Sequence, residues 1–129
     1  VLYDFGKTLG IAFQLKDDYL DAFGDPAKTG KQIGGDILAN KKTFLPIKAL
    51  ELSGAEGETR YDALLTRTDD KKVEDTLAFF RETGAEAALR DAMTAYSEQA
   101  YALLQKVPVI SNRKKHLQDV ADMLLKRDY

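Results

Sequence analysis

From Ala85 to Val107, apolar residues recur every three or four positions, at Ala85, Leu89, Ala92, Tyr96, Ala100, Leu103 and Val107. A helix gathers that spacing onto one side, whereas a strand would need every second residue. The same period runs through Leu2, Phe5, Leu9 and Phe13, with Ile11, Leu15 and Leu20 beside them. This predicts a largely buried helix from Leu2 to about Phe23, stopped by Gly24-Asp25-Pro26. A polar, Gly-rich loop is expected over Ala27 to Gly35, then a helix from about Asp36 to Leu52 that Pro46 kinks or interrupts. Ser53 to Thr59 reads as a loop, followed by a short helix near Arg60–Thr66 and another from about Asp70 to Thr83, ended by Gly84. After the break at Val107-Pro108-Val109, Ser111 is placed to cap a last helix carrying Leu117, Val120, Ala121 and Leu124. Alternating runs and internal repeats are both missing. The fold class is therefore all-α, with five or six helices.

Composition narrows the chemistry. The 129 residues suffice for one compact domain. Nineteen Lys and Arg stand against 21 Asp and Glu, a net charge of −2, so there is no basic footprint and nucleic acid is not an expected partner. Zero Cys excludes disulfide scaffolds, thiolate zinc sites and cysteine nucleophiles, and the single His116 excludes HExxH-type metal sites. No apolar run approaches the ~20 residues that span a bilayer, and no signal peptide opens the chain, so a soluble, cytoplasmic protein is expected. The chain starts at Val1 inside an apolar-periodic segment and is expected to be a piece of a longer protein.

The polar chemistry concentrates in Phe13-Gln14-Leu15-Lys16-Asp17-Asp18-Tyr19-Leu20-Asp21. At about 100° per residue, Gln14, Asp17, Asp18 and Asp21 fall within an arc of roughly 100° on one helix. Like charges at this spacing cost about 0.2–0.5 kcal/mol per pair, and the nearby helix C-terminus adds roughly 0.3–1 kcal/mol per carboxylate. A bound cation would offset both; a solvated acidic helix face is the alternative. Oxygen-only ligands select Mg²⁺ or Mn²⁺ over zinc or copper. An EF-hand fails on spacing, because Tyr19 or Phe23 falls where its third-position ligand belongs. Downstream, Gly30-Lys31-Gln32-Ile33-Gly34-Gly35-Asp36 is a Gly-rich loop opening a helix, with Lys41 and Lys42 expected one turn into it. It is not a P-loop: Gly24 and Gly30 enclose five residues, and Gln32 stands where Ser or Thr is needed. Carboxylates, glycines and lysines together suggest a metal-bridged diphosphate site.

The stretch Phe13-Gln14…Asp17-Asp18-Tyr19-Leu20-Asp21…Phe23-Gly24-Asp25…Gly30-Lys31…Gly34-Gly35-Asp36…Asn40-Lys41-Lys42-Thr43 resembles the second aspartate-rich region of trans-polyprenyl diphosphate synthases, the farnesyl and geranylgeranyl diphosphate synthase relatives. The resemblance implies the helical fold of class I isoprenoid synthases, with residues 1–129 forming the C-terminal part of a polyprenyl synthetase domain. In that family two aspartate-rich motifs face each other across a cavity and hold Mg²⁺ on an allylic diphosphate, which reacts with isopentenyl diphosphate. Carried over by resemblance, Asp17 is the main metal ligand and Asp18 and Asp21 are direct or water-mediated ligands. Asp36 orders metal-bound water, Lys31 and Lys41 contact the diphosphate, and Phe13 and Gln14 lie along the reacting end of the allylic chain. The cofactor is Mg²⁺, with Mn²⁺ possible in its place.

The first aspartate-rich motif is absent: Asp69-Asp70-Lys71-Lys72 lacks the later Asp and reads as a solvated helix start. This half alone is therefore expected to be inactive. It is also expected to associate, with helices from two copies filling each other's missing neighbours or in a non-native packing, while the intact enzyme is expected to be a homodimer. A non-catalytic partner subunit and a class I terpene cyclase are the alternatives. His116 reads as a surface residue, Tyr96 and Tyr101 as core or interface, and Lys126-Arg127 as a charged terminus. Phe79 and Phe80 cannot both face one core from a single helix, so one is expected to meet missing structure or another subunit.

Overall fold

The structure is a computed structural model and describes residues 1–24, 33–108 and 111–126. Among these residues all regular structure is helical: α1 Leu2–Phe23, α2 Gly35–Leu38, α3 Phe44–Leu65, α4 Lys72–Glu82, α5 Ala85–Gln105 and α6 Ser111–Leu125. No described helix is long and apolar enough to cross a membrane.

The longest-range packing sets α1 against α5. Phe5 and Leu9 of α1 cluster with Ala100 and Leu104 of α5, while Leu15 and Ala22 cluster with Ala85 and Leu89, so the two helices run antiparallel. Ala12, Ala85 and Ala100 are almost wholly buried, and small side chains at these crossings let the helix axes approach. α6 closes one end through Ala121, and α3 and α4 close the other through Leu45, Ala49, Leu64, Leu77, Phe79 and Phe80. Burial of α1 is one-sided, because Leu2, Tyr3 and Phe13 stay exposed.

Several expectations change. The helix expected from Asp36 is only the short α2, and Lys41 and Lys42 lie beyond it rather than within the next helix. Asn40 takes a left-handed φ of 54°, its N–H donates to Ile37 O, and the Lys41 N–H donates to Asp36 O. These bonds form a Schellman stop, with Asn in the place glycine usually fills. Pro46 falls in the first turn of α3, where its missing N–H breaks no helical bond.

The loop expected over Ser53–Thr59 is also absent. α3 continues through it, interrupted only at Gly54, whose φ of 67° and ψ of −152° make a one-residue kink. Phe79 and Phe80 are both 1% exposed, so neither awaits an outside partner. Phe79 stacks on Tyr61 at 5.8 Å between ring centres, whereas Phe80 turns toward the acidic residues of α1. Neighbouring elements cover more than one side of α4, which an isolated helix could not provide. Lys72, read as part of a solvated start, is 5% exposed; Asp69, Asp70 and Lys71 are exposed as expected.

Candidate functional site

Asp18 and Asp21 project from the last turns of α1, beside the turn that carries Asp36 and Lys41. Together with Thr43, Tyr61 and Phe80 they line a small recess floored by Ala22, Ile37, Leu45 and Pro46. Its enclosed space is about 10 Å³, on the scale of one water or ion, so a diphosphate would have to sit over its mouth. Asp18 is 8% exposed and accepts a hydrogen bond from Gln14 Nε2 at 3.2 Å. Asp21 holds the turn: its backbone carbonyl accepts from Gly34 N–H at 2.7 Å and its Oδ2 from Asp36 N–H at 3.1 Å. Lys41 Nζ lies 3.4 Å from Asp36 Oδ1 with most of its side chain in solvent.

Gly34 is the tight point of this turn. Its φ is 84°, and a Cβ placed there would come within 2.5 Å of Val73 Cγ1 on α4. Glycine is required twice over, by backbone conformation and by space.

The electrostatics set like charges against one another. Burial pushes the Asp18 carboxyl above its usual range; the Gln14 hydrogen bond opposes this, and the charges of Asp36, Asp17 and Asp21 raise it further. A hard divalent ion at the mouth would relieve that repulsion, and the oxygen-only donor set suits Mg²⁺ or Mn²⁺. Among the described residues, however, no three acidic or histidine side chains close up as a metal-holding group. The acidic residues line the mouth without closing around a point.

Asp18, Asp21, Asp36 and Lys41 come together, with Gln14 joined through Asp18. Asp17 is half-buried and does not line the recess, and Phe13, 43% exposed, lies one turn before it. Lys31 lies outside the described residues, as do Gly30, Arg127 and the loop stop at Asp25-Pro26. Thr43 closes the aspartate-rich stretch, but Tyr61 and Phe80 were not read as site residues because each arrives from a distant element. Only the aromatic character of Tyr61 and Phe80, at helical spacing from other apolar residues, hinted at burial.

A family model described as polyprenyl synthetase matches residues 1–83. The short chain isoprenyl diphosphate synthase of Methanothermobacter thermautotrophicus is 31% identical over 99% of this chain and 39% of that protein. The geranylgeranyl pyrophosphate synthase of Geoglobus acetivorans is 35% identical over 99% of this chain and 38% of that protein. The chain thus spans about two-fifths of the length of these relatives. Among solved structures, a geranylgeranyl pyrophosphate synthase superposes with a TM-score of 0.82 at 38% identity, over 98% of this chain and 41% of its own. The Corynebacterium glutamicum geranylgeranyl pyrophosphate synthase, solved with isoprenyl diphosphate and magnesium, matches with a TM-score of 0.82 at 33% identity, over 95% of this chain and 36% of its own.

Proposed function

Because this chain belongs to the polyprenyl synthetase family, we propose that it carries the second aspartate-rich half of a Mg²⁺-dependent trans-prenyltransferase. The enzyme joins an allylic diphosphate to isopentenyl diphosphate, giving a longer prenyl diphosphate. Residues 1–129 form the C-terminal part of its polyprenyl synthetase domain, and the intact enzyme is a cytoplasmic homodimer. The observation that carries this reading is the convergence of Asp18, Asp21, Asp36 and Lys41 on one mouth.

Asp17, Asp18 and Asp21 would hold the metal, with Asp36 ordering its water. Bound magnesium supplies positive charge that stabilises diphosphate as a leaving group. Gln14 fixes the Asp18 carboxylate by its hydrogen bond, so the negative charge is oriented before substrate arrives. The Lys41 ammonium, paired with Asp36 yet largely solvated, can reach a diphosphate oxygen over the mouth. Lys31 would make a second such contact. Phe13, exposed one turn before Asp17, offers an apolar surface to the allylic chain. In the reaction the allylic carbon–oxygen bond breaks and its electron pair leaves with diphosphate. The isopentenyl double bond then forms the new carbon–carbon bond, and a proton is lost to a diphosphate oxygen.

Calorimetric titration with inorganic pyrophosphate, with and without Mg²⁺, tests this reading. Binding should require Mg²⁺ and fall at least tenfold in a Lys41→Ala, Asp36→Asn double variant. Binding that ignores both the metal and the substitutions would overturn it.

A further inference from the structure

The turn carrying Asp36 and Lys41 is bracketed by two left-handed residues, Gly34 with φ 84° and Asn40 with φ 54°. Each is touched by one of two consecutive residues in the first turn of α4. Val73 fills the space where a Gly34 side chain would be, its Cγ1 2.5 Å from that position. Lys72 Nζ donates to Asn40 Oδ1 at 2.7 Å and to the carbonyl of Leu65, the last residue of α3, at 3.2 Å. Asn40 Nδ2 reaches the same carbonyl at 3.4 Å. A buried ammonium is kept only where its donors are satisfied, and a helix C-terminus is a favourable place for positive charge.

We infer that Lys72 is a positioning residue of the site: with Val73 it clamps both ends of the Gly34–Asn40 turn and thereby sets Asp36 and Lys41 at the mouth. The clamp stands on the geometry alone; its consequence for ligand binding rests on the diphosphate reading above. Lys72 does not line the recess and reaches the turn through its hydrogen bond to Asn40.

Two variants separate the clamp from the cap. Lys72→Met keeps the aliphatic stem and removes the donor. Asn40→Gly removes the acceptor but supplies the residue that a Schellman stop prefers, so capping alone would leave the turn unchanged or tighter. The clamp instead requires both variants to loosen it. Amide exchange by NMR should speed up about tenfold at Leu38, Ala39 and Lys41, the scale of losing one hydrogen bond to a charged group, while Leu89 and Ala100 stay protected. The double variant should exchange no faster than either single one. Mg²⁺-dependent pyrophosphate affinity should drop in step in both variants. Unchanged exchange in Asn40→Gly, or additive effects in the double variant, would overturn the clamp. Faster exchange with unaltered pyrophosphate affinity would overturn the positioning role. A wild-type protein that binds no pyrophosphate would refute the diphosphate reading, leaving exchange to decide the clamp.

Discussion

Gly34→Ala tests the packing that builds the site. At φ 84° an alanine pays the left-handed penalty of about 1–2 kcal/mol. Its Cβ also lands 2.5 Å from Val73 Cγ1 and 2.9 Å from Cγ2. Both atoms belong to a half-buried β-branched side chain whose χ1 cannot swing freely, so overpacking adds roughly 1–3 kcal/mol. The substitution should therefore destabilise by about 2–5 kcal/mol. Val73→Ala alone removes two partly buried methyl groups and should cost about 1 kcal/mol. In the double variant the clash disappears and only the backbone penalty and the lost methyls remain, about 2–3 kcal/mol, below the sum of the single effects. Urea unfolding followed by far-UV circular dichroism measures all four proteins, with midpoints compared at constant m. A Gly34→Ala effect under about 0.5 kcal/mol, or strictly additive single effects, would refute the close approach of Val73 to this turn.

Asp18 should make the fold pH-sensitive. With its carboxyl raised above 3.8 by burial, the folded state binds a proton the unfolded state has released, so this contribution is present below pH 3.8 and lost as pH rises through the folded value. Metal-free Asp18→Asn should thus melt above wild type at pH 7 and lose that advantage toward pH 3.8; a variant that melts lower at pH 7 would contradict the sign. The Tyr101 hydroxyl donates to Asp122 Oδ1 at 2.7 Å, and burial, this bond and the Asp122 charge push its pKa up to about 12. Absorbance at 295 nm should show one tyrosine ionising near 12 and moving back toward 10 in Asp122→Asn. In the intact enzyme, Asp17→Ala should depress kcat far more than it weakens isopentenyl diphosphate binding, since a lost metal ligand can be worth several kcal/mol in the transition state. Steady-state kinetics with an unchanged kcat would refute the role given to Asp17.

What the sequence made legible was local. The period of Ala85, Leu89 and Ala100 marks α5, and the three-to-four spacing of Asp17, Asp18 and Asp21 places them together on α1, because both patterns repeat within one element. The missed features are tertiary or conformational. Asn40 reads as an ordinary polar helix residue until its left-handed φ turns the chain. Ser53 to Thr59 has loop composition, yet the segment stays helical except at Gly54; its neighbour Ala49 is fully buried, so packing overrides weak propensity. Ser53 Oγ, instead of opening a turn, donates back to Ala49 O at 2.6 Å. Lys72 looked like a solvated charge because its partners, Asn40 and Leu65 O, lie 32 and 7 residues away. The meeting of Asp36 with Asp21, 15 residues apart, likewise depends on how the turn folds back onto α1.

Manganese is an anomalous scatterer that takes the oxygen donors magnesium takes, so it locates the ion directly. Crystals of the protein soaked with Mn²⁺ and inorganic pyrophosphate should show an anomalous peak about 2.1 Å from carboxylate oxygens of Asp17, Asp18 or Asp21. A pyrophosphate oxygen should share that ion, with Lys41 against the anion. Full occupancy of Mn²⁺ elsewhere, with none at this mouth, would contradict the assignment of these aspartates as the metal-holding half of a diphosphate site.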